Sequence, residues 1–185
     1  MEIVSANKED KKVNIAYIDA ANLDQALRSL GWKLDYKRFR IWLKEKYKVE
    51  RAYIFIGRIK KYKNLYAYFE ESNFFLVYKE VLYQKGKTKG NCDSDLLMYV
   101  VKDFYEGDLN RAVLVASDGD YAPLVRFLKE RNQIEVVLSP APAKRCSVLL
   151  KRTNAPIAYL NNQRSLLELA IETFNEKAPD TDETV

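Results

Sequence analysis

The apolar run Ala112-Val113-Leu114-Val115-Ala116 passes without a break into Ser117-Asp118-Gly119-Asp120-Tyr121. A short continuous apolar run closed by turn residues reads as a strand buried on both faces, which is the habit of parallel sheets. Such a sheet needs helices on both sides, because its crossover connections lay them there. The device recurs where Val13-Asn14-Ile15-Ala16-Tyr17-Ile18 runs into Asp19 and, after Ala20 and Ala21, Asn22. Two strands thus end in carboxylates, and a third acidic pair, Asp93 and Asp95, opens a helical segment ahead of Arg111. In open α/β sheets ligands bind outside the carboxyl ends of the strands, where the strand order reverses. The three acidic clusters are expected to meet there.

The rest of the chain keeps to this plan. Further strand-like runs are Ala52-Tyr53-Ile54-Phe55-Ile56, Phe74-Phe75-Leu76-Val77-Tyr78, Ile134-Glu135-Val136-Val137-Leu138 and, weakly, Pro156-Ile157-Ala158-Tyr159-Leu160. Between them lie helical patterns: Leu23, Leu27 and Leu30 with Gly31 as a stop signal, and Phe39, Leu43 and Tyr47 on one face. Others are expected over about 62–72, 94–105, 121–131, 144–152 and 163–175. Strands separated by helices imply right-handed crossovers, so the expected fold is α/β, a three-layer α/β/α sandwich around a mainly parallel sheet. At 185 residues and 48% apolar content, one domain over 13–174 is expected, between an N-terminal tail at 1–12 and an acidic tail at 175–185.

No segment approaches the roughly 18 consecutive apolar residues of a membrane span, and the opening residues lack signal-peptide regions, so a cytoplasmic protein without a membrane partner is expected. The net charge of +5 is uneven. Residues 33–63 hold twelve Lys or Arg against three acids, and 172–185 hold five acids against one Lys. The acidic tail offsets a body of about +9, which favours an anionic partner, and from charge alone a solvated basic surface is at least as good a reading.

The chemistry narrows by elimination. No Gly-x-Gly-x-x-Gly follows the first strand and no Gly-x-x-x-x-Gly-Lys-Ser/Thr occurs, which disfavours dinucleotide and P-loop phosphate cradles. Asp19 has no second Asp two residues on, against an aspartyl-phosphate nucleophile. With no histidine, a serine nucleophile lacks its usual base and a zinc site its usual ligands, and Cys92 and Cys146 form no metal-spacing motif. Each acid also has a plainer use: Asp19 or Asn22 as cap of the helix near Leu23, Asp120 as cap of the helix from Tyr121. Asp93 shares the stripe of Leu96, Leu97, Val100, Val101 and Phe104 that faces the sheet, whereas Asp95 aligns with Tyr99 and Lys102 and leans toward solvent. Carboxylates crowded in one cleft repel unless cations neutralise them, and Mg²⁺ or Mn²⁺ fits the oxygen donors.

These residues carry a resemblance. Asp19-Ala20-Ala21-Asn22 after a strand, Lys89-Gly90 followed by Asp93-Ser94-Asp95, and Val115-Ala116-Ser117-Asp118-Gly119-Asp120-Tyr121 before Pro123-Leu124 resemble the NYN family of PIN-like nucleases, in particular its LabA-like branch, over about residues 13–170. The resemblance implies the PIN-like strand order 3-2-1-4-5 and metal-dependent cleavage of RNA. Asp19, Asp93, Asp118 and Asp120 match the family's acidic positions and Asn22 its asparagine. Asn91-Cys92 stands where the family more often has one residue, which leaves Asp95 as the alternative to Asp93.

The expected activity is hydrolysis of phosphodiesters, on single-stranded RNA, by one or two Mg²⁺ or Mn²⁺ ions. Asp19 and Asp118 are the expected direct ligands, Asp93 and Asp120 complete the site directly or through water, and Asn22, with Ser117, fixes a water or a phosphate oxygen. RNA capture is assigned to Arg58, Lys60, Lys61 and Lys63 after the second strand and to Lys85, Lys87 and Lys89 after the third, with Tyr62 or Tyr83 stacking on bases. The alternatives are a silent RNA-binding module of the same fold and a regulatory interaction protein, and a homodimer is left open.

Overall fold

The computed structural model describes residues 12–79, 82–84, 87–89 and 92–170. The expected tails at 1–12 and 175–185 fall, Lys12 aside, outside the described residues, as do the domain boundary at 174 and Lys85.

Among the described residues there are eight strands and seven α-helices. The first half runs β1 (Val13–Asp19), α1 (Ala20–Leu30), α2 (Tyr36–Tyr47), β2 (Val49–Gly57), α3 (Lys63–Glu71) and β3 (Phe75–Lys79), then β4 (Leu82–Gln84) and β5 (Lys87–Lys89). The second half is α4 (Cys92–Tyr105), β6 (Leu109–Val115), α5 (Ala122–Glu130), β7 (Ile134–Ser139), α6 (Val148–Lys151), β8 (Ile157–Tyr159) and α7 (Arg164–Leu167). Six strands form one sheet in the order β3-β2-β1-β6-β7-β8, every pairing parallel. Counted without the hairpin, this is the PIN-like order 3-2-1-4-5, and the weakly patterned segment near 157 adds a sixth strand at the edge. The order reverses between β1 and β6.

Strand alternation sends Ala16 and Ile18 to one face and Ile15 and Tyr17 to the other. The first face packs with Ile54, Val113, Val115 and Leu138 under α1 and α2 through Leu23, Leu27, Phe39 and Leu43. The second packs with Phe55, Leu114 and Val137 under α4, α5 and α6 through Leu96, Val100, Val125, Leu128 and Leu150. Helix ends follow local chemistry. Asp35 caps α2 by accepting from Arg38 N, and Gly31 ends α1 at φ 71°, a left-handed turn that costs glycine little.

Three local expectations are corrected. The helix expected over 163–175 stops at Leu167, because the chain then straightens: Glu168 bridges Leu34, and Leu169 N donates to Lys33 O at 2.8 Å. The helix expected over 144–152 shrinks to α6, begun by the Ser147 hydroxyl, which accepts from Leu149 N. Within 79–90, expected as a basic loop, β4 and β5 pair as an antiparallel hairpin.

Candidate functional site

Asp19 is the last residue of β1 and the cap of α1 at once. Its extended backbone (φ −77°, ψ 102°) ends the strand, and Oδ1 accepts from Asn22 N at 3.0 Å to start the helix. Oδ2 accepts from the Tyr121 hydroxyl at 2.9 Å. The residue is 5% exposed, so the carboxylate is held from two sides within a nearly closed wall. Tyr121, wholly buried, was not singled out from the sequence: its ring belongs to the core, and only the fold shows where its hydroxyl goes.

Asn22 ties this strand end to the next. Its Oδ1 accepts from Ser117 N at 2.9 Å and from Ser117 Oγ at 2.8 Å, 95 positions along the chain. Ser117 directly precedes Asp118, so the strap sets the second carboxylate turn beside the first. Asp118 caps the short 3₁₀ turn Gly119–Tyr121 by accepting from Asp120 N at 3.1 Å, so it is Asp118, rather than Asp120, that serves as cap. The side chains of Asp118 and Asp120 are exposed. Gly119 is required by space: a Cβ there would lie 2.5 Å from Ser147 Oγ and 3.0 Å from Leu149 Cδ1.

The other expected residues distribute around this centre. Asp93 lies in the first turn of α4, with its side chain outside the described residues, and Asp95 is exposed. Leu96 and Val100 are buried as the stripe required, and α4 packs on β1, β2 and β6 and against the Gly119–Tyr121 turn. Its amino end is thereby directed to the carboxyl ends of β1 and β6. Arg58, Lys60, Lys61 and Lys63 are exposed where β2 ends. The Tyr66 hydroxyl shapes this rim by donating to Gly57 O and accepting from Ile59 N, both at 2.8 Å. The Arg58 guanidinium lies 5.4 Å from the Tyr78 ring, and the Lys61 ammonium 5.0 Å from Tyr62. Lys87 and Lys89 lie on β5, with their side chains outside the described residues.

The chain matches the NYN domain family over residues 14–159. It belongs to that family. NYN domains are part of the PIN-like nuclease superfamily and are generally hydrolases that act on RNA. The NYN chain also superposes on the crystal structure of a protein of unknown function from Vibrio parahaemolyticus with a TM-score of 0.65. That match covers 88% of this chain and 99% of the other at 19% identity, a likeness of fold alone. No curated protein matches this NYN sequence. Among the described residues, no helix of the domain is long and apolar enough to cross a membrane.

A second acidic group of this NYN domain lies at the opposite end of the sheet, where Val13 N donates to Asp108 O. One carboxylate oxygen each from Asp103, Glu106 and Asp108 falls within 4.8 Å of the others, close enough to hold a cation. All three are already engaged: Asp103 accepts from the Tyr17 hydroxyl at 2.7 Å, Asp108 pairs with Arg51 at 3.0 Å, and Glu106 pairs with Lys102 at 3.8 Å. None of the three was singled out from the sequence, where their spacing at 103, 106 and 108 is the trace the group leaves. Burial raises the Asp103 carboxyl above its ordinary range, against the lowering effects of the Tyr17 hydrogen bond and Arg51. Burial first, and then Asp103, pushes the Tyr17 hydroxyl up.

A carboxyl raised in the folded state contributes stability that is full below its unfolded value, about 3.9, and is lost as the pH climbs through the folded value. Asn at this position still accepts from Tyr17 and never ionises. Asp103→Asn is therefore expected to melt above the wild type at pH 7, with the difference closing below about pH 4. Melting curves across that range check this, and a lower melting temperature at neutral pH would assign the net effect to the charge on Asp103.

Proposed function

We propose that this NYN domain is a ribonuclease that uses Mg²⁺ or Mn²⁺ to hydrolyse phosphodiester bonds of single-stranded RNA at the carboxyl ends of β1 and β6. The observation that carries the reading is the Asn22–Ser117 strap. It fixes the turn bearing Asp118 and Asp120 to the strand end bearing Asp19, at the point where the strand order reverses.

The donor set suits a hard cation. Asp19, Asp118 and Asp120 offer carboxylate oxygen, and the chain has no histidine to favour a softer metal. Asp19 and Asp118 are the proposed ligands, with Asp120 and Asp93 completing the shell directly or through water. A bound ion would supply the activated water and neutralise the charge that builds on the phosphate. The protein's own part is positional. Tyr121 and the Asn22 amide N–H hold the Asp19 carboxylate from turning. Asn22 Oδ1 is taken by Ser117, so any contact of Asn22 with a phosphate oxygen comes from Nδ2. Arg58, Lys60, Lys61 and Lys63 meet the backbone of the RNA, and Lys85, Lys87 and Lys89 are assigned the same role from the sequence.

A second reading rests on a specific observation: Asp19 and Asp118 both cap helical turns, a duty they would keep in a fold that binds RNA without cutting it. One experiment separates the two. Labelled single-stranded RNA is expected to be cleaved with Mg²⁺ or Mn²⁺ and left intact with EDTA, while remaining bound in both. Equal cleavage with chelator would reject the metal, and metal-independent binding with no cleavage at all would establish the silent module.

A further inference from the structure

The basic rim at the end of β2 has a counterpart across the site. Residues 52–69 contain four Lys or Arg and no acid, and 136–163 again contain four Lys or Arg and no acid. The two stretches leave the sheet on either side of β1 and β6, from β2 and from β7. Three strand intervals separate these exits, about 14 Å. The candidate carboxylates lie between them.

The loop that follows β7 is built rather than loose. Ser139 Oγ donates to Ala141 O at 2.7 Å, and Arg145 N and Cys146 N both donate to Pro142 O, at 2.8 and 3.0 Å. Cys146 is buried at 3% exposure, and Lys151 Nζ reaches back to Ala143 O at 2.6 Å. The loop is also fastened to both halves of the site. Arg145 Nη1 donates to Ser29 Oγ on α1 at 2.9 Å, and Ser147 N donates to Ser117 O at 3.1 Å. Ser147 Oγ fills the space that the missing Gly119 side chain leaves. Lys144 and Arg145 stand exposed at the tip. Two cations are thereby held in fixed register to the turn that carries Asp118.

We infer that the loop 140–147 is a second phosphate-binding wall, and that single-stranded RNA crosses the carboxyl ends of the strands from Arg58–Lys63 to Lys144 and Arg145. The inference rests on the proposed RNA substrate and adds its path. A wall bonded to the Asp118 turn through Ser147 fixes the strand on the far side of the acids, so the phosphate between the two walls lies over them. A single basic rim would leave that strand free to swing away from the carboxylates.

The test is binding of a fluorescein-labelled single-stranded RNA to the full chain in EDTA, followed by anisotropy over a salt series. Lys144→Ala with Arg145→Ala is expected to weaken binding and to make its salt slope shallower by about 1.4, since each lost phosphate contact on a single strand removes about 0.7. Over a fourfold rise in salt the affinity gap to the wild type should then narrow about sevenfold. Because Arg145 also bonds Ser29, Lys144→Glu is measured beside it, changing only an exposed tip, and should weaken binding in the same direction. With Mg²⁺ or Mn²⁺, the double variant should lower kcat/KM. If the wild type binds RNA and both variants match it in affinity and salt slope, the second wall is overturned and the proposed function stands. A wild type without RNA affinity would overturn both.

Discussion

Asp118→Asn should leave a folded protein that still binds RNA and has lost nearly all cleavage. Asn is nearly isosteric with Asp and caps helical turns as well, so its oxygen can still accept from Asp120 N, which Asp118 does now at 3.1 Å. The 3₁₀ turn and the start of α5 should therefore survive, and the melting temperature should stay close to that of the wild type. What the substitution removes is the negative charge. Outer partners of a metal site are worth roughly 10–100-fold in activity, and a direct ligand should be worth more. RNA affinity in EDTA should hold or rise slightly, because a negative charge facing the phosphates has gone. Cleavage at the wild-type rate with Mg²⁺ or Mn²⁺ would mean that Asp118 is a cap and nothing more, and the proposed mechanism would fall with it.

Asn22→Ala should harm stability and activity together. The change leaves Ser117 N and Ser117 Oγ without the oxygen that both now reach, within a partly buried joint. Leaving such groups unmade costs about 1–3 kcal/mol, which thermal or urea unfolding resolves. The turn bearing Asp118 would also lose its tie to α1, and misplacement of a reacting group by about 1 Å costs roughly a hundredfold in rate. Asn22→Asp restores the acceptor without the amide donor. It should recover most of the lost stability and only part of the activity, the shortfall measuring what Nδ2 does. An Asn22→Ala protein that unfolds with the wild type would show that the strap contributes nothing.

Most of the sheet was legible because its strands are buried on both faces. Apolar runs such as Ile15 to Ile18 and Val113 to Val115 have no polar alternative to a central position, and each is wholly or almost wholly shielded from solvent. The weak segment at 157 was harder because β8 is an edge strand whose residues are only partly covered. The 163–175 helix was overcalled for a physical reason: Leu166 and Leu167 fit a helical stripe, but the competing partner, Leu34, is remote in sequence and draws Glu168 into a bridge. The hairpin of β4 and β5 is hard to read because each strand has three residues and β5 is mostly lysine.

The seating of Asp19 and Asp118 where β1 and β6 end was legible, and the bonds that tie those ends together were not. Capping and ligand duty stood as rival readings of Asp19, but a carboxylate with two oxygens can cap α1 with one and meet Tyr121 with the other. Asn22 was expected to face a water or a phosphate, and its oxygen instead serves Ser117. Neither bond leaves a periodic trace, because the partners lie 102 and 95 positions away.

Those separations bear on the order in which the protein comes into being. During synthesis Asp19 and Asn22 leave the ribosome long before Ser117 and Tyr121, and β6 must pair with β1 before either bond can form. A nascent chain that ends short of Ser117 carries Asp19 without its Tyr121 bond and Asn22 without its Ser117 bonds. The distance along the chain thus acts as a timer: the two acidic strand ends come together only once β6 has joined β1.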